Sequence, residues 1–246
     1  SGVTLDYEGG TTSYDITVTA SDSAGVASGS ARNFTITVGD VNEAPVITGS
    51  AESFDENVTG EVVYNLSASD VDDNTLTYSL SGADAAKFEV IDDSGKKLAL
   101  KSGESLDHED GGYDVTVTTS DGTLSDFINL TITADDVNEA PTAVSLTSGG
   151  NIVSSVDENS AAVVGTLSAT DEDDGDTHSF SLASGGDNDL FVIDGYQLKL
   201  KAGLDFENDT DADNNGIYEV TVTASDGVAS GSARNFTITV GDVNEA

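Results

Sequence analysis

The chain contains no cysteine, no tryptophan and no methionine, and it has two prolines among 246 residues. Without Cys, no disulfide can staple a small domain and no thiol can act as nucleophile or redox group. Without Trp and Cys together, the antibody-type core of an indole packed on an inter-sheet disulfide is excluded. Basic residues are almost as scarce: eight Lys and Arg face 46 Asp and Glu, a net charge of -38. Such a chain has nothing to set against phosphate, so nucleic acid is excluded as a partner, and anionic membranes repel it for the same reason. No apolar run approaches the roughly 18 residues that would suggest a membrane-spanning helix, so direct membrane insertion is not expected. No segment has the layout of a signal peptide, and the abrupt start reads as an excerpt from a longer chain.

What is abundant is Thr, Val, Ser, Asp and Gly, a mixture suited to strands joined by polar turns. Tyr14, Ile16 and Val18 alternate with polar residues, as do Phe34, Ile36 and Val38. The same alternation returns at Tyr113, Val115, Val117 and at Tyr218, Val220, Val222. Period-two alternation of this kind predicts strands with one buried face. No stretch keeps a capped helical period. The expected fold class is all-β.

Repeats set the organisation. Asp-Val-Asn-Glu-Ala-Pro occupies Asp40 to Pro45 and Asp136 to Pro141, and it begins again at Asp242. Four other acidic markers keep a constant order around it. They are Asp-Glu-Asn at 55–57 and 157–159; Asp-x-Asp at Asp70/Asp72 and Asp171/Asp173; Leu-Asp-x-Glu at 5–8, 106–109 and 204–207; and Ser-Asp-Gly at Asp121 and Asp226, with Asp22 in the matching Ser-Asp-Ser. Gly25 to Ala44 is repeated without change at Gly227 to Ala246. The expected division is a C-terminal fragment of a repeat over 1–46, holding its last two strands, then full repeats over 47–141 and 142–246. About seven short strands in about 100 residues predict a Greek-key β-sandwich for each full repeat. Two strands alone cannot bury a sandwich core, so residues 1–46 are expected to form a loosely held hairpin or to complete themselves against another chain.

The markers fall at strand ends and turns, and the loops at each end of a sandwich cluster in space. At the second junction this would gather Asp107, Glu109, Asp136, Asn138, Glu139, Glu158, Asp171, Asp173 and Asp226. Two like charges about 4 Å apart repel by roughly 4 kcal/mol at an effective dielectric of about 20, so the cluster calls for a cation. Oxygen ligands drawn from several loops suit Ca2+, which accepts six to eight of them in flexible geometry, better than Mg2+, Zn2+ or copper.

This ordered set of five motifs resembles the calcium motifs of cadherin repeats, and in particular the bacterial cadherin-like repeats of large secreted adhesins of the RTX type. The resemblance runs over nearly the whole chain. It implies a tandem cadherin/immunoglobulin-like sandwich array, stiffened by Ca2+ at its junctions and located outside the cell. Neighbouring repeats would be its first partners, with an extracellular protein or glycan as ligand, and the chain would be monomeric or weakly self-associating. The resemblance assigns Glu56 and Glu158 to ions from the start of a repeat, and Asp6 with Glu8 and Asp107 with Glu109 from the loop before the penultimate strand. The connectors would give Asp40, Asn42, Glu43, Asp136, Asn138 and Glu139. The following repeat would give Asp70, Asp72, Asp121, Asp171, Asp173 and Asp226. Glu43 and Glu139 stand where animal cadherins carry Asp, and Ala44 and Ala140 where they carry Asn. The terminal set Asp205, Glu207, Asp242, Asn244 and Glu245 is expected to bind weakly or not at all. The first-junction site is expected to be poorer than the second, because its Asp6/Glu8 arm lies on the incomplete repeat.

Other readings carry less. Asp209 to Gly216 superficially resembles a calcium loop but lacks the closing Glu of an EF-hand. The two histidines, His108 and His178, sit in separate acidic loops without a nucleophile motif, so no enzyme is expected. A calcium-dependent carbohydrate-binding module is the alternative function, although the chain has no Trp to serve as a sugar platform.

Overall fold

The computed structural model describes residues 4–27, 29–72, 74–159 and 163–245. Ser1 to Val3, the start of the expected 1–46 segment, lie outside them. The chain divides into two compact units, Ser1–Asp135 and Asp136–Ala246.

The first unit opens with an antiparallel hairpin, β1 (Ser13–Val18) and β2 (Arg32–Thr37), which forms a two-stranded sheet of its own. Seven strands follow: β3 (Val46–Ala51), β4 (Val62–Ser69), β5 (Thr77–Ser81), β6 (Phe88–Asp92), β7 (Lys96–Leu100), β8 (Tyr113–Ser120) and β9 (Ser125–Ile132). They build two sheets ordered β3-β4-β7-β6 and β5-β8-β9. In β8, Tyr113, Val115 and Val117 are buried and their polar neighbours are not, as the alternation predicts. They meet Val63, Phe88, Leu98, Leu100 and Leu106 in one core.

Among its described residues the second unit has nine strands. They are β10 (Ser145–Ser148), β11 (Asn151–Ile152), β12 (Ser155–Asp157), β13 (Val163–Ser168), β14 (Ser179–Leu182), β15 (Phe191–Asp194), β16 (Gln197–Leu200), β17 (Ile217–Ser225) and β18 (Arg234–Gly241). Their sheets run β11-β10-β13-β16-β15 and β12-β18-β17-β14. Leu146, Leu167, Phe191, Leu198, Tyr218, Val220, Val222 and Ile238 fill the core between them. The count exceeds seven by two, because the short strands β11 and β12 lie between β10 and β13, where the first sandwich passes from β3 to β4 without named strands.

Two features decide where the acidic residues go. First, β12 pairs in parallel with β18, Ser155 to Asp157 against Thr239 to Gly241. In the first unit a parallel bridge between Asp55 and Asp135 does the same. The start of each sandwich therefore runs alongside its last strand. Second, the hairpin β1–β2 has no second layer among the described residues. Phe34 and Ile36, expected on a buried face, are exposed, because burying a strand face requires an opposing sheet.

Candidate metal centre

At the start of the first sandwich, the Asp-x-Asp marker follows β4, where the chain leaves the sheet. Asp70 Oδ1 accepts the N–H of Asp72 at 2.9 Å, which closes a tight turn and aims both carboxylates the same way. Asp72 Oδ2 accepts the N–H of Glu43 at 2.9 Å, tying the connector to this turn. Asp121 ends β8. Its Oδ1 accepts the N–H groups of Thr123 (2.6 Å) and Leu124 (2.7 Å), while Oδ2 accepts the Asn42 amide at 2.8 Å. These bonds hold the Asp121 pKa below the usual aspartate value, the Asn42 bond first. The second Asn42 bond, from its amide to the Glu43 carbonyl at 3.0 Å, fixes the amide plane.

Carboxylate oxygens of Glu8, Glu43 and Asp72 lie within 4.8 Å of one another. Glu43 is pushed above the ordinary glutamate value by desolvation first, then by the charges of Asp72, Asp40, Asp6 and Asp70. Glu8 is raised as well: a backbone hydrogen bond pulls it down, but desolvation, Glu43, Asp40 and Asp6 outweigh that. Asp6 itself accepts the Gly9 N–H at 3.2 Å. The structure thus brings Asp6, Glu8, Asp40, Asn42, Glu43, Asp70, Asp72 and Asp121 to one end of the first sandwich. Asp70 Oδ2 and Asp72 Oδ1 are buried there with no hydrogen-bond donor. Buried carboxylate oxygens without donors are costly, and a hard cation is the species that would satisfy them. The donor set, all oxygen and mostly anionic, fits calcium.

The second unit starts with the same frame. The Asn138 amide donates to Asp226 Oδ2 at 2.9 Å and to the Glu139 carbonyl at 2.6 Å, and the Glu139 N–H donates to Asp173 Oδ2 at 2.9 Å. Asp226 Oδ1 accepts the N–H groups of Val228 and Ala229, both at 2.6 Å. Its pKa is lowered, by the Asn138 bond first. Asp173 is raised; the Glu139 N–H lowers it, but desolvation and the charges of Asp136, Asp171 and Asp176 prevail. Oxygens of Asp171, Asp176 and Asp226 lie within 4.8 Å of one another, and His178 Nε2 is 2.9 Å from Asp171 Oδ2. Asp136, Asn138, Asp173, Asp174 and Asp176 line one open cleft. Asp176 lies outside the five sequence motifs, as does Asn74, whose amide lies 3.4 Å from Asn42 Oδ1 and from Asp70 Oδ1. The available signal was the run of polar residues just beyond each Asp-x-Asp.

Glu56 and Glu158 do not join these groups; Glu158, expected with Asp136, Asn138, Asp171, Asp173 and Asp226 at the second junction, lies elsewhere. Glu56 is buried, accepts the His108 N–H at 2.7 Å, and lies with Asp107 and Glu109, their oxygens within 4.8 Å. Glu158 is also buried. It accepts the N–H groups of Phe206 (2.8 Å) and Val243 (2.7 Å), which lower its pKa, Val243 first, and it lies with Asp205 and Glu207. The cause is the parallel pairing already described. It carries Asp-Glu-Asn to the end of the last strand, opposite the Asp-x-Asp turn. The marker's Asn then turns the chain with a left-handed backbone, φ 60° at Asn57 and 55° at Asn159. Desolvation and the charge of Glu56 raise Glu109, and desolvation with Glu158, Asp242 and Glu245 raises Glu207. Asp107 and Asp205 each use Oδ1 to accept the N–H two residues on, at 2.9 and 3.0 Å.

The loop over Asp209 to Gly216 is organised differently. Buried Asp211 accepts N–H groups from Asn215, Gly216 and Ile217, and buried Asp187 accepts those of Ala212 and Glu219. These carboxylates act as turn organisers, satisfied by the backbone.

No protein-family model matches the chain. Human Protocadherin Fat 4 is 28% identical over 195 residues, 76% of this chain and 4% of that protein. Human Protocadherin-15 is 28% identical over 173 residues, 68% of this chain and 8% of that protein. The chain therefore spans less than a tenth of the length of these curated relatives. Among solved structures, Protocadherin Gamma B2 extracellular cadherin domains 1–5 superpose with a TM-score of 0.67 at 21% identity, over 98% of this chain and 48% of that one. Mouse Cadherin-23 EC22-24 gives a TM-score of 0.64 at 20% identity, over 98% of this chain and 78% of that one. The all-β architecture is that of cadherin extracellular domains.

Proposed function

We propose that the chain is a stretch of a tandem cadherin-like array whose acidic ends bind calcium, and that it acts as an extender or adhesion module of a large secreted protein outside the cell. The reading divides it into a repeat fragment over 1–46 and repeats over 47–141 and 142–246. One observation carries the proposal. The same frame of connector Asn, connector Glu, Asp-x-Asp turn and strand-end Asp is built at the start of both units, and in the first it leaves two buried carboxylate oxygens without donors.

Calcium bound there would supply the positive charge that these carboxylates lack. The residues do the rest. Asn42 and Asn138 hold the strand-end Asp of their own unit with one amide hydrogen. The backbone N–H of Glu43 and Glu139 pins the Asp-x-Asp turn to the connector. Glu8, Glu43 and Asp72 come from the initial segment, the connector and the sandwich, so one ion held by all three would tie the three pieces together. Without it, mutual repulsion loosens the connector. No catalytic step is assigned to any residue. The bacterial adhesin setting belongs to the same proposal and rests on the resemblance of the five ordered acidic motifs.

The test is thermal unfolding with small-angle scattering in chelator, then in millimolar calcium, with magnesium as control. A calcium-specific rise in melting temperature with elongation is expected. An equal response to magnesium, or none, would sink the proposal.

A second reading, calcium-dependent glycan binding, draws on the cleft lined by Phe206, Asp209, Asn214, Asn215 and Tyr218, where Phe206 is 52% exposed. Glycan binding lost both in chelator and in Phe206→Ala would support it. Full binding by that variant in chelator would dismiss it.

A further inference from the structure

The loop from Asp209 to Gly216 has no counterpart in the first sandwich. There six residues separate Leu106 from Tyr113, whereas thirteen separate Leu204 from Tyr218. The added stretch carries Asn215-Gly216, the one Asn-Gly pair in the sequence. Asn-Gly is the dipeptide most prone to cyclise, because glycine has no side chain to keep its nitrogen away from the asparagine amide carbon. The fold requires the glycine: Gly216 has a φ of 77°, which a side chain would oppose. The chemistry needs only water. Hydroxide removes the Gly216 N–H proton and the nitrogen attacks Asn215 Cγ. The Cγ–Nδ2 bond then breaks, and the leaving nitrogen takes a proton from water to depart as ammonia. Water opens the resulting succinimide at either carbonyl, leaving aspartate or isoaspartate at 215.

In the folded loop each group needed for this step is already engaged. The Gly216 N–H donates to Asp211 Oδ2 at 2.6 Å. The N–H groups of Asn215 and Ile217 converge on the same oxygen, at 2.9 and 3.2 Å, so the peptide planes around Gly216 are fixed. The Asn215 amide is held at both ends: Oδ1 accepts the Ile217 N–H at 2.7 Å, and Nδ2 donates to Asp213 Oδ2 at 2.9 Å. Asp211 is 5% exposed, so its charge is poorly screened. The Gly216 nitrogen would have to become an anion beside the carboxylates of Asp211 and Asp213, which like-charge repulsion opposes. Buried Asp187 anchors the loop from outside it, accepting the N–H groups of Ala212 and Glu219 at 2.7 and 2.8 Å.

We propose that Asn215-Gly216 is a deamidation site that Asp211 holds shut, and that Asn215 is converted when the loop opens. Conversion is one-way. Isoaspartate lengthens the main chain by one methylene at 215, so the N–H groups of 216 and 217 no longer meet Asp211 together. Aspartate instead adds a negative charge beside Asp211 and Asp213. Either product disfavours reclosure and alters the wall that Asn215 gives to the cleft of Phe206 and Tyr218. The loop thereby records past openings of this part of the protein.

The test follows residue 215 by mass spectrometry while the full chain is held in mildly alkaline buffer, folded and in denaturant. Chelator is present throughout, so that no bound ion contributes. The folded chain should convert at least about tenfold more slowly than the unfolded chain, because conversion is limited to the opened fraction of molecules. Hydrogen exchange gives a measure free of substitutions: the protection of the Gly216 N–H should match the ratio of the two conversion rates. Asp211→Ala should move the folded rate toward the unfolded one. Asp211→Asn, which keeps an acceptor oxygen but loses the charge, should lie between. Equal conversion in the folded and unfolded chains, or an unprotected Gly216 N–H, would overturn the proposal. So would a folded Asp211→Ala chain that converts no faster than the unmodified one.

Discussion

Asp72 shows how one carboxylate can be half satisfied by design. Its Oδ2 takes the Glu43 N–H, and its Oδ1 is buried without a donor. Asp70 does the same with its Oδ1 and Oδ2 exchanged. If these oxygens await a cation, Asp70→Asn should weaken calcium binding at the first unit's start by about tenfold or more, as loss of one anionic ligand does. Calorimetric titration would read it, and unchanged affinity would remove Asp70 from the site. A second residue-scale expectation is independent of ions. A Cβ on Gly49 would lie 2.1 Å from the Asn65 carbonyl oxygen and 2.4 Å from Cε1 of Tyr64. Gly49→Ala should then cost about 1–3 kcal/mol through overpacking, equally in chelator and in calcium, as denaturant unfolding would show.

Among the elements, the parallel contact at the start of each sandwich matters most, since it decides which end Glu56 and Glu158 serve. Glu158→Gln should therefore disturb the group holding Asp205 and Glu207 and leave that of Asp171, Asp173 and Asp226 intact. Amide and side-chain NMR shifts on titration would distinguish the two ends. A response confined to the Asp171 end would contradict the assignment. The sandwich cores are ordinary apolar layers. Leu98, fully buried in the first, should cost about 2–5 kcal/mol on change to Ala.

The whole molecule is governed by charge. In the ion-free protein Glu8, Glu43, Glu109, Glu207 and Asp173 bind protons more tightly folded than unfolded. Their stabilising contribution is complete below the unfolded values, 4.5 for Glu and 3.8 for Asp. It is lost as the pH rises through the raised folded values. Asp121, Glu158 and Asp226 act in the other sense: their contribution is present above the unfolded values and lost as the pH falls through the lowered ones. The melting temperature in chelator should peak near pH 4 to 4.5, between the two unfolded values, and fall toward neutrality. Calcium should flatten that fall. A chelated protein most stable at pH 7 would contradict this balance.

Much of this was legible in the residues. Period-two alternation marked the strands of both cores, because a half-buried sheet imposes that pattern locally. The order of the acidic markers reported a repeated unit, because repetition is a property of the chain itself. Tertiary structure alone decided the rest. The parallel pairing of Asp-Glu-Asn with the last strand is a contact between residues some 80 apart, and no local pattern specifies it. Asp176 joined a carboxylate group through loop closure rather than motif spacing. Most plainly, twenty identical residues form a buried core strand in one unit and an exposed one in the other. The alternation of a strand states which face can be buried, but whether it is buried depends on a second sheet that the strand does not encode.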